Sequence, residues 1–354
     1  MSTFDAQNIE STSGGAPNFS QGLNVGGSSI TSLITMTEYY SQAGEPSSPA
    51  NGAVWWDGSV AYQYVGGAWR ILSVTPPPAN SGNVGTFATF NMQIDTFAID
   101  TLATATAFGN LTVNRQQMAG CSNGSRGLYG GGYTGSYSNV IDYITFATTG
   151  NATDFGDLTV ARAQLAAASN GPRGVFAGGY TGLYEDTMDY VAIATAGNAV
   201  DFGNLTSFRA DPAGLSDRTY GVFAGGTISG GSRVNTIDYV TIATTGNAVD
   251  FGDLTITMDQ MGSCEAGGRG VFAGGVGTNV IQYITVATPG NAIDFGDLTG
   301  TFNFGSAAVA NDTRGVISVN ATYNYITIAT PGNAAIFSTG NYNNGYYPAG
   351  CSGN

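Results

Sequence analysis

The sequence predicts an all-β protein whose larger part is one four-stranded unit repeated six times around a ring. Three recurring markers predict it. Asp-Phe-Gly-Asp or a near copy begins at residues 154, 201, 250 and 294, with weaker copies around Phe108 and Phe337. Successive phenylalanines of that marker are 47, 47, 49, 44 and 42 residues apart. Val-Phe-Ala-Gly-Gly begins at 175, 222 and 271, and Leu-Tyr-Gly-Gly-Gly at 128 is its relative. An aromatic, β-branched run recurs as IDYITFA (141–147), MDYVAIA (188–194), IDYVTIA (237–243), IQYITVA (281–287) and YNYITIA (323–329), with QIDTFAI (93–99) as a degenerate first copy. Self-similarity at this period identifies a repeat architecture before any single element is assigned.

The front of the chain does not repeat. Residues 1–34 are polar, rich in Gly, Ser and Asn and nearly uncharged, which predicts an extended arm ordered by partners. Residues 35–74 carry all three tryptophans. There GAVWWD, VAYQYV and AWRIL read as three short strands joined by glycine turns. A unit this small cannot bury a large core, so it is expected to dock on another subunit or to self-associate as a homo-oligomer. Trp55, Trp56, Tyr62, Tyr64 and Trp69 are the candidates for that anchoring. The proline-rich stretch 75–84 predicts a stiff linker, and the ring is expected over 85–354.

Each repeat reads as four strands of five to seven residues. The first is small and apolar, as in AQLAAASN (163–170); the others carry the Gly-Gly, aromatic and Asp-Phe-Gly markers. A unit of about 45 residues with four antiparallel strands is one blade of a β-propeller. The first repeat lacks an inner strand and the last contains only that strand. YPAGCSGN at the C-terminus matches MAGCSNGS at 118–125, so the final segment is expected to complete the first blade. This closes a six-bladed ring and removes two sheet edges.

In such blades, loops after the first and third strands share one face and loops after the second and fourth share the other. The first face is monotonous: SNGSRG, SNGPRG, EAGGRG and NDTRG, with ATTGNA, ATAGNA and ATPGNA. The second is variable: YTGSYSN (133–139), YTGLYEDT (180–187), TISGGSRVN (227–235) and VGTN (276–279). Variable loops on a rigid scaffold are where binding usually resides, and tyrosine offers broad amphipathic contact area. Tyr133, Tyr137, Tyr180, Tyr184 and Arg233 are therefore candidate binding residues.

Arg115, Arg162 and Arg209, 47 residues apart, are expected near the channel mouth on the same face. Their functional reading is an anion site for acidic sugars. Their structural reading, which periodicity favours, is pairing with repeated carboxylates such as Asp157 or Asp253. Arg126, Arg173, Arg269 and Arg314 belong to the monotonous face and read as structural. Asp142, Asp189 and Asp238 read as satisfied acceptors, with a cation site as the alternative. Cys121, Cys264 and Cys351 share a repeat position with Ala168, Leu215 and Val309, which marks them as buried fillers.

Composition narrows the function. The chain has no lysine or histidine, so all ten basic residues are arginine. Histidine bases, histidine–metal sites and Schiff-base lysines are thereby excluded, and no cofactor or metal is expected. A net charge of −14 argues against nucleic acid. No leader and no apolar run of spanning length is apparent, so a soluble chain folded in a reducing cytoplasm, with no membrane insertion, is expected.

The hydrophobic run ending in Gly-Gly, the aromatic a dozen residues later and the TGNA turn resemble kelch repeats over roughly residues 80–354. The outer-strand tryptophan of many kelch repeats is absent, and the Asp-Phe-Gly phenylalanine stands in its place. Pro49-x-Asn51-Gly52-x-x-Trp55-Trp56-Asp57, followed by Tyr62-x-Tyr64 and Trp69, resembles short β modules of bacteriophage tail-fibre and related virion proteins. The near-identical blades resemble repeats of phage tail-associated proteins. These resemblances imply a virion tail component, assembled in the host cytoplasm and held through its N-terminal region by other virion subunits. Its propeller would meet a host-surface glycan or protein. Two other readings stand beside it: a structural adaptor or capsid-decorating protein, and a glycan-active enzyme. The enzyme reading is disfavoured, because the copper site of galactose oxidase needs histidines and the sialidase boxes are missing. Glu185 and Asp186, the one irregular carboxylate pair, are adjacent and would point apart on a strand.

Overall fold

The computed structural model describes residues 82–89, 92–102, 104–301, 305–319, 322–339 and 348–353, together with the backbone of six short strands that precede them. The chain divides into two units, Met1–Pro77 and Pro78–Asn354. In the first, Leu23–Val25 pairs antiparallel with Ser28–Ile30, a short hairpin within the stretch expected to be an extended arm. A second sheet runs in the order Tyr39–Ser41, Val54–Trp56, Ala61–Val65, Ala68–Ile71. Its last three strands are those read from the sequence. Tyr39–Ser41 adds a parallel strand that a three-residue run does not announce. Trp55, Trp56, Tyr62, Tyr64 and Trp69 lie on these strands, and their side chains fall outside the described residues.

The second unit is a six-bladed β-propeller of six four-stranded sheets. Blade I comprises Ala349–Gly353, Val84–Ala88, Gln93–Ala98 and Thr106–Asn110, from axis to rim. Blade II spans Ala119–Asp157, blade III Ala166–Asn204, blade IV Ala213–Asp253, blade V Gly262–Asp297 and blade VI Ala308–Thr339. The C-terminal strand supplies the inner strand of blade I, pairing Ala349 with Ala88 and Gly353 with Val84. The ring is thus closed by hydrogen bonds between its two ends, and both ends lie on the monotonous face.

Alternation along the second strand explains the core. Val175 packs in the cluster that blade III shares with blade IV, whereas its neighbour Phe176 packs in the cluster shared with blade II. Phe223 and Phe272 repeat the role of Phe176 one and two blades on. Both faces of the sheet are covered, so the strand is apolar through its buried positions, Gly174–Gly179. Each such side chain contributes about 1.5–3 kcal/mol of burial. The glycine of the Asp-Phe-Gly marker has a steric cause. Gly156 adopts φ +143°, and a Cβ there would lie 2.5 Å from the Gly197 carbonyl oxygen in the next blade's TGNA turn. Asn198 Oδ1 in that turn accepts from the Asp157 amide at 3.1 Å, and Asn151, Asn247, Asn291 and Asn333 tie the outer strands of blades I, III, IV and V to the following blade in the same way.

Arg115, Arg162 and Arg209 are not at the surface. Each is fully buried (0% exposed) and paired within its own blade to Asp142, Asp189 or Asp238, at 3.0, 2.6 and 2.7 Å. This corrects the anion-site reading and also the partners expected for the scaffold reading, Asp157 and Asp253. The aspartates come from the third strand, and a threonine of the outer-strand exit completes each knot. Thr112 Oγ1 donates to Asp142 at 2.5 Å, Thr206 Oγ1 to Asp238 at 2.6 Å, and Thr159 Oγ1 bonds to Asp189. Blade V holds Met258 and Gln282 at the same places, joined by a Gln282 Nε2–Met258 Sδ contact. In blade I the aspartate persists without an arginine: Asp95 is buried and accepts from Gln93 Nε2 at 2.5 Å.

Candidate functional site

The two faces of the propeller differ in how they use their side chains. On the monotonous face Arg126, Arg173, Arg269 and Arg314 each lie 4.6–4.7 Å over the ring of Tyr143, Tyr190, Tyr283 or Tyr325 in their own blade. Each also donates to a carbonyl of the following blade: Ala194, Ala243, Ile328 and Ile99 at 2.8, 2.8, 2.8 and 3.1 Å. These arginines are clamps between blades, and the last joins blade VI to blade I.

The variable face brings four of the candidate residues together. Tyr133, Tyr137, Tyr180 and Tyr184 form one ladder across blades II and III, with successive ring centroids 5.4, 6.0 and 5.2 Å apart. These separations fall within the range of favourable aromatic pairs. Local structure sets the ladder. In blade III the second and third strands, Arg173–Tyr180 and Tyr184–Ala192, run on past the sheet as a hairpin that pairs Tyr180 with Tyr184. Tyr133 exchanges backbone hydrogen bonds with Gln116 at 2.8 and 3.1 Å, and Tyr180 does so with Ala163 at 2.8 and 3.0 Å. All four rings are half-buried. Partial desolvation, with Tyr180 and Tyr133 beside it, holds the Tyr137 phenol above its ordinary pKa. On the same face Leu183 is 74% and Phe208 59% exposed, and Val113 and Ile256 also lie open.

Arg233 lies on the same face, apart from the ladder. Its Nε is 2.8 Å from Asp259 Oδ1 and its Nη1 donates to the Val276 carbonyl at 3.0 Å. It clips the Thr227–Arg233 hairpin of blade IV onto blade V, and its charge is already matched. Thr227 takes the place that Tyr133 and Tyr180 hold in their blades, pairing with Ala210.

A feature that the sequence reading missed lies on the axis. Gln117, Gln164, Asp211 and Gln260 precede the inner strands of blades II–V, all in the left-handed region at φ +61, +59, +55 and +57°. Non-glycine residues rarely adopt that conformation. Their backbones form an arc around the axis. Gln164 donates to Gln117, Asp211 to Gln164, Gln260 to Asp211 and Ser306 to Gln260, at 2.9, 2.7, 3.1 and 3.0 Å. The arc rims a cavity of about 110 Å³. Gln164 Nε2 and Gln260 Nε2 both donate to Asp211 Oδ2, at 2.6 and 3.2 Å. Burial, with Asp259 nearby, pushes the Asp211 carboxyl up to about 7. The signal was present as Arg-x-Gln at 115–117 and 162–164, Arg-x-Asp at 209–211 and Met-x-Gln at 258–260.

The cysteines are buried and free. Desolvation pushes the Cys121 and Cys264 thiols up to about 12 and raises Cys351 as well, which leaves no reactive thiolate at neutral pH. Among the described residues no cluster of three metal-ligating side chains occurs. No protein-family model matches the sequence and no curated protein matches it, so the chemistry of this face has to be read from its geometry.

Proposed function

We propose that the chain is a bacteriophage virion protein of the tail, held in the particle through its N-terminal region and presenting the variable face of its propeller to a host-surface glycan or protein. The observation that carries the reading is the tyrosine ladder. Four rings from two blades form one continuous stack on the face whose loops differ from blade to blade. The opposite face commits its arginines to holding the ring together. Aromatic rings stack on sugar faces and on apolar side chains alike, and the neighbouring amides can bond hydroxyl groups. Both propeller ends, Val84 and Gly353, lie on the monotonous face, which suits attachment from that side. The activity so described is binding, without chemistry on the receptor.

Imaging the particle at a resolution that orients the disc tests this reading. The propeller is expected at a distal position with Tyr137 and Tyr184 facing outward. A propeller whose tyrosine face is covered by another subunit would overturn it in favour of a structural adaptor.

A further inference from the structure

We propose that the axial cavity rimmed by Gln117, Gln164, Asp211 and Gln260 is a pocket for a protonated amine carried on a sugar ring, with Asp211 as its counter-charge. The proposal rests on the reading that this face binds a host glycan, and it specifies the chemistry of one subsite.

The first argument is broken periodicity. Three of the four blades that supply the arc place glutamine at this position, and only blade IV places a carboxylate. The backbone conformation and the arc of hydrogen bonds are the same with either residue, so the scaffold does not require the charge.

The second argument is unmatched polarity. Two amide groups donate to one oxygen of Asp211, and no arginine among the described residues pairs with it. The nearby arginines are committed elsewhere: Arg209 to Asp238 and Arg233 to Asp259. Gln260 Oε1 is buried without a partner among the described residues. A ligand suited to this site brings donors and positive charge, and an ammonium group brings both.

The third argument is shape and surroundings. The cavity of about 110 Å³ has room for roughly four waters at liquid density, enough for an ammonium group and the edge of the ring that carries it. Gln117 and Gln164 each follow a residue that is paired with a ladder tyrosine, Gln116 with Tyr133 and Ala163 with Tyr180. The backbone thus joins the cavity rim to the strands that carry the ladder, within reach of the rest of a glycan chain. Burial lifts the Asp211 carboxyl to about 7, the behaviour of a carboxylate short of a counter-cation.

The test uses the full-length protein at pH 7 with methyl glucosaminide, methyl N-acetylglucosaminide, methyl glucoside and N-acetyl-lysine amide as probes, followed by ligand-observed NMR. The amino sugar is expected to bind at least about tenfold more tightly than its acetylated or hydroxyl counterparts. D211Q, which copies the other blades, and D211N are each expected to abolish that preference while raising the melting temperature at pH 8. A misfolded variant would lower it instead. Equal binding of the amino and acetylated sugars, or an amine preference that survives both substitutions, would overturn the proposal. Equal binding of N-acetyl-lysine amide would overturn the sugar assignment. Cell adsorption separates this subsite from the broader reading. If Y137A abolishes adsorption and D211Q leaves it intact, with no amino-sugar preference in the wild type, the pocket fails and the binding face stands.

Discussion

Replacing Arg162 by methionine tests how the blades are held. The guanidinium is fully buried, 2.6 Å from Asp189 Oδ2, and it also donates to the carbonyls of Gly178 and Phe176. Arg162→Met leaves the Asp189 carboxylate buried with Thr159 as its remaining side-chain donor. Breaking one side of a buried ion pair costs about 3–5 kcal/mol, a large part of the roughly 5–15 kcal/mol that holds an ordinary domain together. Blade V shows the neutral solution. Met258 and Gln282 replace the pair there, and Thr255 donates to Gln282 Oε1 from its amide at 2.7 Å and its hydroxyl at 2.9 Å. Arg162→Met with Asp189→Gln should therefore recover to within about 1 kcal/mol of the wild type, giving a coupling of at least about 2 kcal/mol. Urea unfolding of the four proteins of the cycle measures it. A single substitution costing less than about 1 kcal/mol, or a double variant no better than the single, would refute the buried-lock reasoning.

Asp211 and Glu265 both have carboxyls raised to about 7 by burial, from ordinary values of 3.8 and 4.5. Between about pH 4 and pH 7 the folded chain holds protons that the unfolded chain releases. Stability should fall as pH rises through that window, by at most about 1.4 kcal/mol per pH unit per group. Thermal melts at pH 5 and pH 8 should differ accordingly, and Asp211→Asn combined with Glu265→Gln should remove most of the difference. Gly156→Ala drives a Cβ against the Gly197 carbonyl at a backbone conformation that alanine rarely adopts, and should cost about 2–4 kcal/mol in the same urea assay. Cys121, Cys264 and Cys351 should resist alkylation by iodoacetamide at pH 8 until the propeller unfolds, as read by mass spectrometry of the labelled chain.

The ring was legible because its determinants are local and periodic. Phe155 and its equivalents recur once per blade, Gly156 and its equivalents in five of the six with Ser338 in blade VI, and Cys351 copies Cys121 because both occupy inner strands of adjacent blades. The Arg–Asp locks were not legible in full. Arg162 and Asp189 are 27 residues apart, but Asp157 recurs with the same period, so spacing alone cannot choose between the two carboxylates. Strand register chooses, placing Asp189 at the buried end of the third strand. The tyrosines could be assigned to one face from loop alternation. Their contact could not, because it depends on the blade III hairpin extending past its sheet. The axial arc escaped notice because glutamine in a left-handed conformation leaves no local mark as glycine does. The N-terminal aromatics could be placed on strands only.

The central claim is that the propeller has one face for binding and one for holding itself together. Competition for adsorption between the particle and the purified full-length protein tests it most directly, comparing Tyr137→Ala/Tyr180→Ala with Thr148→Arg/Thr245→Arg on the opposite face. The account predicts that the tyrosine variant loses competition while retaining its melting temperature to within a few degrees, and that the threonine variant competes as the wild type does. Loss of competition on the threonine face, with the tyrosine variant unaffected, would contradict it.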